Sequence, residues 1–309
     1  MINALFAARP DRWAEYEAPL KAAFEKFGLT VDLRTDFAPE MVDYIIYAPN
    51  SLVQDFTPYT RCKAVLNLWA GVENVVGNAT LTQPLARMVD PGMTQGMVEY
   101  VTGHVMRHHL GMDLHILGQD GQWRDHVPPL AQARRVTVLG LGELGLACAR
   151  TLSTLGFDVA GWSRRQKTAE GLTCLSGEDG LQQALDRADI LVLLLPRTPA
   201  TENLLNAERL NAMPEGAAIV NPGRGELIDD AALLEALDSG QISHATLVVF
   251  RVEPLPVSHR FWSHPRVTVT PHIASETRAQ TASEVIADNV CRGETGQPFL
   301  HLVDRGAGY

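Results

Sequence analysis

An α/β chain with parallel sheets is what the sequence predicts, and three observations predict it. Short β-branched or leucine-rich runs alternate with helical patterns, as in successive βαβ units. One such run, residues 136–139, leads straight into Gly140-Leu141-Gly142-Glu143-Leu144-Gly145, a G-x-G-x-x-G turn followed by the helix-like stretch 146–152. The chain has 309 residues, twice the roughly 150 of a common single domain, so two cores are expected.

Residues 2–8 read as a first strand, and 11–27 as a helix with Trp13, Leu20, Phe24 and Phe27 among its apolar positions. Strands follow at 29–33, at 44–47 with a stop at Pro49, and at 63–68. The last runs into Trp69-Ala70-Gly71-Val72-Glu73-Asn74. Open α/β sheets bind ligands past the carboxyl ends of their strands, and backbone N–H groups of such a loop can take a carboxylate without side-chain charge. On spacing alone, an ordinary β–α turn is an equal alternative. Pro91-Gly92 interrupts the chain before a long helical pattern from Met97 through Met106 and Leu110. His104, His108, His109 and His115 lie on or near it without an acidic or Cys partner at ligand spacing, so they read as structural or solvated and no metal site is expected. Residues 118–129, with Trp123, Pro128 and Pro129, read as a loop. One α/β unit thus closes before residue 90 and another begins near 100.

In the second unit, Gly140 permits the tight turn, Gly142 lets backbone approach a pyrophosphate, and Gly145 lets the helix sit on the strand. The free N–H groups and positive dipole of the helix start would hold the phosphate charge. The next strand, 157–162, ends at Ser163-Arg164-Arg165. About 20 residues past the fingerprint an NAD site offers Asp or Glu to the ribose. A hydroxyl followed by two guanidinium groups suits a 2′-phosphate instead, so NADP(H) is the expected cofactor.

The apolar run 190–195 is closed by Pro196, and Arg197-Thr198-Pro199 follows. The short run 217–220 delivers Asn221-Pro222-Gly223-Arg224-Gly225, holding an arginine between glycines at a strand end, and a helix 229–238 closes at Gly240. Residues 246–250 read as a strand followed by Arg251-Val252-Glu253, and 267–270 as a strand followed by Pro271-His272. A final helix, 281–292, which Ser275-Glu276 could start, is expected to return to the first domain. The expected division is 1–96 with 281–309 for substrate and 97–280 for NADP. Three strand ends therefore present Arg224, Glu253 and His272 on the edge that carries the glycine loop. An acid–His pair beside an arginine and a dinucleotide is what hydride transfer to a 2-oxo acid needs: His272 supplies the proton, Glu253 stabilises the imidazolium, and Arg224 grips the anion.

Lys plus Arg number 26 and Asp plus Glu 36, a formal charge of −10. Such a chain does not suit nucleic acid or an anionic membrane, and its one basic cluster, Arg164-Arg165-Gln166-Lys167, is too short to make a face. Cys62, Cys148, Cys174 and Cys291 are scattered. With neither a signal-peptide pattern nor a membrane-length apolar run, the chain reads as cytosolic and reduced.

In motif order and spacing, the chain resembles the D-isomer-specific 2-hydroxyacid dehydrogenases, most closely their glyoxylate/hydroxypyruvate reductase branch. The resemblance is carried by Trp69-Ala70-Gly71-Val72, the glycine motif, Leu195-Pro196 with Thr198-Pro199, Gly223-Arg224-Gly225, Phe250 with Glu253-Pro254-Leu255-Pro256, Thr270-Pro271-His272, and Val303-Asp304-Arg305 with Gly308-Tyr309. It implies two Rossmann-like domains, one flavodoxin-like and one dinucleotide-binding, with a cleft between them. It further implies NADPH-dependent reduction of glyoxylate and hydroxypyruvate to glycolate and glycerate, in a homodimer built through the cofactor domain.

Carried over to this chain, the resemblance gives Arg224 the substrate carboxylate and keto oxygen, His272 the acid/base role, and Glu253 the partner role. It gives the backbone of Ala70, Gly71 and Val72 the carboxylate, and Leu141, Gly142, Glu143 and Leu144 the pyrophosphate. Ser163, Arg164 and Arg165 become the NADP discriminator, and Leu195, Pro196, Pro222 and Val248 lie along the cofactor. Trp69 and Tyr47 are the candidates for shaping a small pocket. One departure stands out, since the family usually reads Asp-Val-Phe, with the Asp beside the nicotinamide, where this chain has Val248-Val249-Phe250. A weakened natural variant, compensation by a neighbour and an altered sequence are all open readings. Two alternatives to the reductase are a catalytically weakened dinucleotide-sensing protein and a dehydrogenase of a larger 2-oxo acid.

Overall fold

Every ladder between named strands is parallel among the described residues, which are 1–308 of a computed structural model. Tyr309, the last residue of the C-terminal motif, lies outside the described residues. In chain order the elements are β1 (Ile2–Ala7), α1 (Trp13–Lys26), β2 (Val31–Arg34), β3 (Tyr44–Tyr47), β4 (Ala64–Asn67), β5 (Leu85–Ala86), α2 (Pro91–His109) and α3 (Met112–Ile116). Next come β6 (Arg135–Leu139), α4 (Glu143–Thr154), β7 (Asp158–Ser163), β8 (Thr173–Ser176), α5 (Gly177–Asp186), β9 (Ile190–Leu193) and α6 (Ala207–Ala212). The chain closes with β10 (Ala217–Asn221), α7 (Asp230–Ser239), β11 (Ile242–Leu247), β12 (Val267–Val269) and α8 (Ala279–Glu294). It divides into two compact units, Met1–Met93 with the segment from Glu276 onward, and Thr94–Ser275.

The first unit holds the sheet β2-β1-β3-β4-β5, the flavodoxin-like order. Strands β3 and β4 are buried at every position, which is why Tyr44-Ile45-Ile46-Tyr47 is continuously apolar rather than alternating. Helix α1 packs through Tyr16, Leu20, Ala23 and Phe24, with the Tyr16 ring 5.6 Å from that of Phe6. Helix α8 packs against α1. It begins at Ala279, with Glu276 outside it and paired to Arg12 at 3.1 Å, so Ser275-Glu276 does not start the helix.

The second unit holds the sheet β12-β11-β10-β9-β6-β7-β8. Six of its strands reproduce the dinucleotide-binding order, with β12 added at the edge. Alternation along β9 sorts its side chains: Leu191 and Leu193 join the core shared with Leu181, Leu185, Leu210, Leu233 and Leu237 of α5, α6 and α7. Ile190 and Val192 join Met97, Val101 and Val105 of α2 and Cys148, Ala149 and Leu152 of α4 on the other face. Each fully buried aliphatic side chain is worth roughly 1.5–3 kcal/mol, so helices on both faces make the sheet the centre of this unit.

Two further local readings change. Pro91-Gly92 does not interrupt the chain; it opens α2, because Asp90 Oδ1 accepts the Met93 N–H at 3.1 Å and Pro fits the first helical turn. The strand expected at 246–250 is β11, which starts at Ile242 and ends at Leu247, so Val248, Val249 and Phe250 form a buried segment past its end. Ser243 and His244 hide the strand in the sequence, yet His244 is held by Thr268 at 2.8 Å and lies 5.2 Å from the ring of His108 on α2. The strand β8 and the helices α5 and α6 were not evident in the sequence, being short and largely polar. Among the described residues no helix is long and apolar enough to cross a membrane.

Candidate active site

The glycine loop leaves β6 at the point where strand order reverses, between β6 and β9, the place where doubly wound sheets bind ligands. Gly140 has φ +109°, and a Cβ there would stand 2.3 Å from the Leu194 carbonyl oxygen. At Gly145 a Cβ would fall 1.8 Å from the Gly140 carbonyl oxygen. These two glycines are required by the fold itself. Gly142 differs, since nothing lies within 4 Å of its Cβ position. Space is kept open there at the N-cap of α4, whose first-turn N–H groups have no side-chain cap. A phosphate group fits both features. Glu143 is exposed and Leu144 half-buried, whereas the Leu141 side chain is buried beneath Gly161 of β7, leaving only Leu141 backbone for a ligand.

Ser163 ends β7 and donates through Oγ to the Arg165 carbonyl at 2.7 Å, with Arg164 and Arg165 exposed beyond it. Lys167 Nζ donates to the Leu141 carbonyl at 2.6 Å, bringing a further cation to the glycine loop. The sequence showed Lys167 only as part of a short basic run; its place against Leu141 is a tertiary fact. A hydroxyl and three cations at this strand end fit a phosphorylated ribose. Leu195 is buried in the leucine core, and Pro222 is buried while Pro196 is half-buried. Leu195 thus offers backbone rather than side chain to any ligand.

Arg224 lies past β10 in extended conformation, half-buried, and donates through Nη1 to the Gly223 carbonyl at 2.7 Å. Its loop is held by Asn221, whose Nδ2 donates to the Arg224 carbonyl at 2.9 Å and whose Oδ1 accepts the Gly223 N–H at 3.1 Å. The flanking glycines reflect close backbone approach. A Cβ on Gly223 would meet the Leu193 carbonyl oxygen at 2.8 Å, and one on Gly225 the Phe250 carbonyl carbon at 2.2 Å.

Glu253 and His272 are brought together directly, with Oε2 of Glu253 2.7 Å from Nδ1 of His272. Because a carboxylate only accepts, Nδ1 carries the proton and Nε2 faces away from Glu253. The other carboxylate oxygen accepts the Phe250 N–H at 2.9 Å. Burial pushes the Glu253 carboxyl up, but the bonds from His272 and Phe250, with the charges of His272 and Arg224, hold it below its ordinary range. His272 sits at φ +51°, a left-handed backbone that costs a residue with a side chain about 1–3 kcal/mol. Its N–H donates to the Val248 carbonyl at 2.7 Å and to the Thr270 carbonyl at 2.9 Å, and Thr270 Oγ1 lies 2.6 Å from the Tyr100 hydroxyl. The turn that presents the imidazole is thus pinned from three sides.

Val248 is 1% exposed and packs in the apolar cluster that includes Val220, Val249 and Ala274. In the first unit, Trp69 is 38% exposed, Ala70 and Gly71 are half-buried, and Val72 is in the core. Tyr47 is buried with its ring 5.3 Å from that of Phe56, a core residue rather than a pocket wall.

Comparison with known proteins matches this arrangement. The family model for the D-isomer specific 2-hydroxyacid dehydrogenase NAD binding domain matches residues 103–274. A glyoxylate/hydroxypyruvate reductase A of Serratia proteamaculans is 38% identical over 257 residues, 81% of this chain and 82% of that protein. The crystal structure of a D-isomer specific 2-hydroxyacid dehydrogenase from Xanthobacter autotrophicus Py2, in complex with NADPH and MES, is 40% identical with a TM-score of 0.93 over 99% of both chains. That of an NADPH-dependent glyoxylate/hydroxypyruvate reductase from Sinorhizobium meliloti, in complex with NADP and sulfate, is 33% identical with a TM-score of 0.87, covering 100% of this chain and 99% of that one. With a glycine loop at the switch point and an acid–histidine pair at neighbouring strand ends, the chain belongs to the D-isomer specific 2-hydroxyacid dehydrogenase family.

Proposed function

We propose that the chain reduces small 2-oxo acids with NADPH, glyoxylate and hydroxypyruvate being its substrates and glycolate and D-glycerate its products. The observation that carries this reading is the 2.7 Å contact of Glu253 Oε2 with His272 Nδ1, on the sheet edge that also bears Arg224 and the open glycine position at 142. When bound, the dinucleotide supplies the hydride that the carbonyl carbon accepts. Gly142, the α4 N-terminus, Ser163, Arg164, Arg165 and Lys167 would hold its phosphates. Arg224 binds the substrate carboxylate and keto oxygen, so it favours charge developing on that oxygen. His272 gives it a proton from Nε2, the nitrogen directed away from Glu253. Glu253 holds the ring's tautomer and steadies the imidazolium.

In this reading the Thr94–Ser275 unit is the cofactor domain, and the backbone N–H groups of Ala70, Gly71 and Val72 are a receptor for a carboxylate. A homodimer through the cofactor domain is supported by the apolar residues exposed around α3 and the loop after it: Ile116 at 62%, Leu117 at 74%, Trp123 at 95%, Val127 at 84% and Leu130 at 75%. Large exposed apolar patches are typical of protein–protein interfaces.

Steady-state oxidation of NADPH and of NADH with glyoxylate, hydroxypyruvate and pyruvate tests the proposal. Turnover with NADPH and the two-carbon and three-carbon acids is expected. Equal or better use of NADH would overturn the role given to Ser163, Arg164 and Arg165. The buried Val248 favours one competing reading, a dinucleotide-sensing protein with little turnover; tight NADPH binding without oxidation on any acid would select it.

A further inference from the structure

We propose that Asn67, a residue with no part in the reaction itself, is the positioning residue that turns the backbone of the 69–72 loop into a carboxylate receptor. Asn67 ends β4 and is 1% exposed. Its Nδ2 donates to the Trp69 carbonyl at 2.9 Å and to the Gly71 carbonyl at 3.1 Å. Two carbonyls accept, so the amide's NH2 must face them, and its orientation is determined. The Trp69 carbonyl also accepts the Met88 N–H at 3.0 Å, and the Leu68 carbonyl accepts from Thr277 Oγ1 at 2.8 Å.

Across a trans peptide, the C=O of one residue and the N–H of the next point in opposite directions. Pinning the carbonyls of Leu68, Trp69 and Gly71 inward therefore turns the N–H groups of Trp69, Ala70 and Val72 away from their holders. Among the described residues, the N–H groups of Ala70, Gly71 and Val72 donate no hydrogen bond within the chain. A row of backbone donors held in this way is an anion receptor. The same side chain carries a penalty, because Asn67 Oδ1 is buried with no hydrogen-bond partner among the described residues, and a buried acceptor left unpaired is destabilising. An Asn here is therefore poor for stability alone, whereas holding two carbonyls of the loop accounts for it.

The inference rests on the reading that this loop takes the substrate carboxylate, and the test separates the two. The full-length chain is assayed with NADPH and glyoxylate, and oxamate serves as a competitive carboxylate probe. Asn67→Asp keeps the shape but has no donor for the carbonyls, and Asn67→Ser retains a donor. Asn67→Asp is expected to raise the KM for glyoxylate and the Ki for oxamate at least tenfold. The kcat and the KM for NADPH should stay within about twofold, and Asn67→Ser should fall between the two. Unchanged glyoxylate KM in a folded Asn67→Asp would overturn the inference. So would equal rises in both KM values with a lowered melting temperature, the mark of a merely structural role. If Asn67→Asp does not fold, Asn67→Ser decides: a raised glyoxylate KM at constant NADPH KM supports the inference and an unchanged one refutes it. A wild-type chain that turns over no 2-oxo acid refutes the carboxylate reading instead.

Discussion

Gly142→Ala separates the glycine that a ligand needs from the glycines that the fold needs. At Gly142 the backbone φ is −72° and a Cβ meets nothing within 4 Å, so alanine is accommodated. The expected loss is that of a poorer N-cap, about 1 kcal/mol. At Gly145 the added carbon would fall 1.8 Å from the Gly140 carbonyl oxygen. Backbone must move there, a loss of about 3 kcal/mol or more. For a unit of this size, 1 kcal/mol shifts the melting temperature by about 2–4 °C. Gly142→Ala should therefore melt within about 4 °C of wild type, and Gly145→Ala at least about 6 °C lower. NADPH binding should rank the other way for the folded proteins. A methyl group in the space kept open at 142 pushes back a phosphate that accepts charge-assisted bonds of about 1.5–3 kcal/mol each. Loss of one such bond is about ten- to a hundredfold in Kd. Fluorescence titration with NADPH and differential scanning give the two numbers. Unchanged NADPH affinity in Gly142→Ala, or destabilisation equal to that of Gly145→Ala, would refute the assignment of this loop to the pyrophosphate.

Glu253→Gln removes the charge beside the imidazolium, and a drop of about ten- to a hundredfold in kcat is expected; the modest size follows from the 59% and 35% exposure of the His272 and Glu253 side chains, which screens the pair. Because the Glu253 carboxyl is held below its ordinary range, its contribution to stability is complete above an unfolded carboxyl pKa of about 4.3. It is lost as pH falls through the lower folded value, and Glu253→Gln should flatten that acid limb of the melting curve. His108 and His244 add to stability in the same direction with pH but from a different cause: burial pulls them down to about 3 and about 4 respectively. The unfolded chain then binds protons below about pH 6.5 that the folded chain refuses, so stability should rise with pH from about 4 to 6.5. His244→Gln should reduce the slope of melting temperature against pH over that window, and an unaltered slope would show that His244 titrates normally. Val248→Asp is expected to raise kcat/KM and to lower the melting temperature, since the carboxylate replaces a side chain that is 1% exposed. An unchanged or lower kcat/KM with cofactor still bound would mean that valine is adapted here.

The legible features were those set by neighbours in the chain. Runs such as Ile190-Leu191-Val192-Leu193 read as buried parallel strands because apolar residues on both faces leave no alternation. Gly140 and Gly145 announced a phosphate-type turn because each glycine answers a clash within a few residues or with the adjoining strand. Arg224, Glu253 and His272 could be named as strand-end residues for the same reason. The identity of Pro91 as the first residue of α2 was also within reach, given Asp90 before it, although the Pro-Gly pair suggested a break.

What only the tertiary structure decided involves partners far apart in sequence. The start of β11 at Ile242 depends on His244 finding His108 and Thr268, and no local pattern marks a buried histidine as a strand residue. Tyr47, Leu141 and Leu195 proved to be core side chains because the layers that cover them come from elsewhere in the chain. Lys167 meets the glycine loop, and Asn67 meets two carbonyls, through turns whose direction the residue order does not state. By itself the sequence determined which residues reach the strand ends and which backbone positions must be glycine, because periodicity and steric exclusion act locally. The fold decided which of those residues face one another, because hydrogen bonds such as that between His272 and Glu253 require two loops to be placed to within an ångström, and packing around the sheet is what places them.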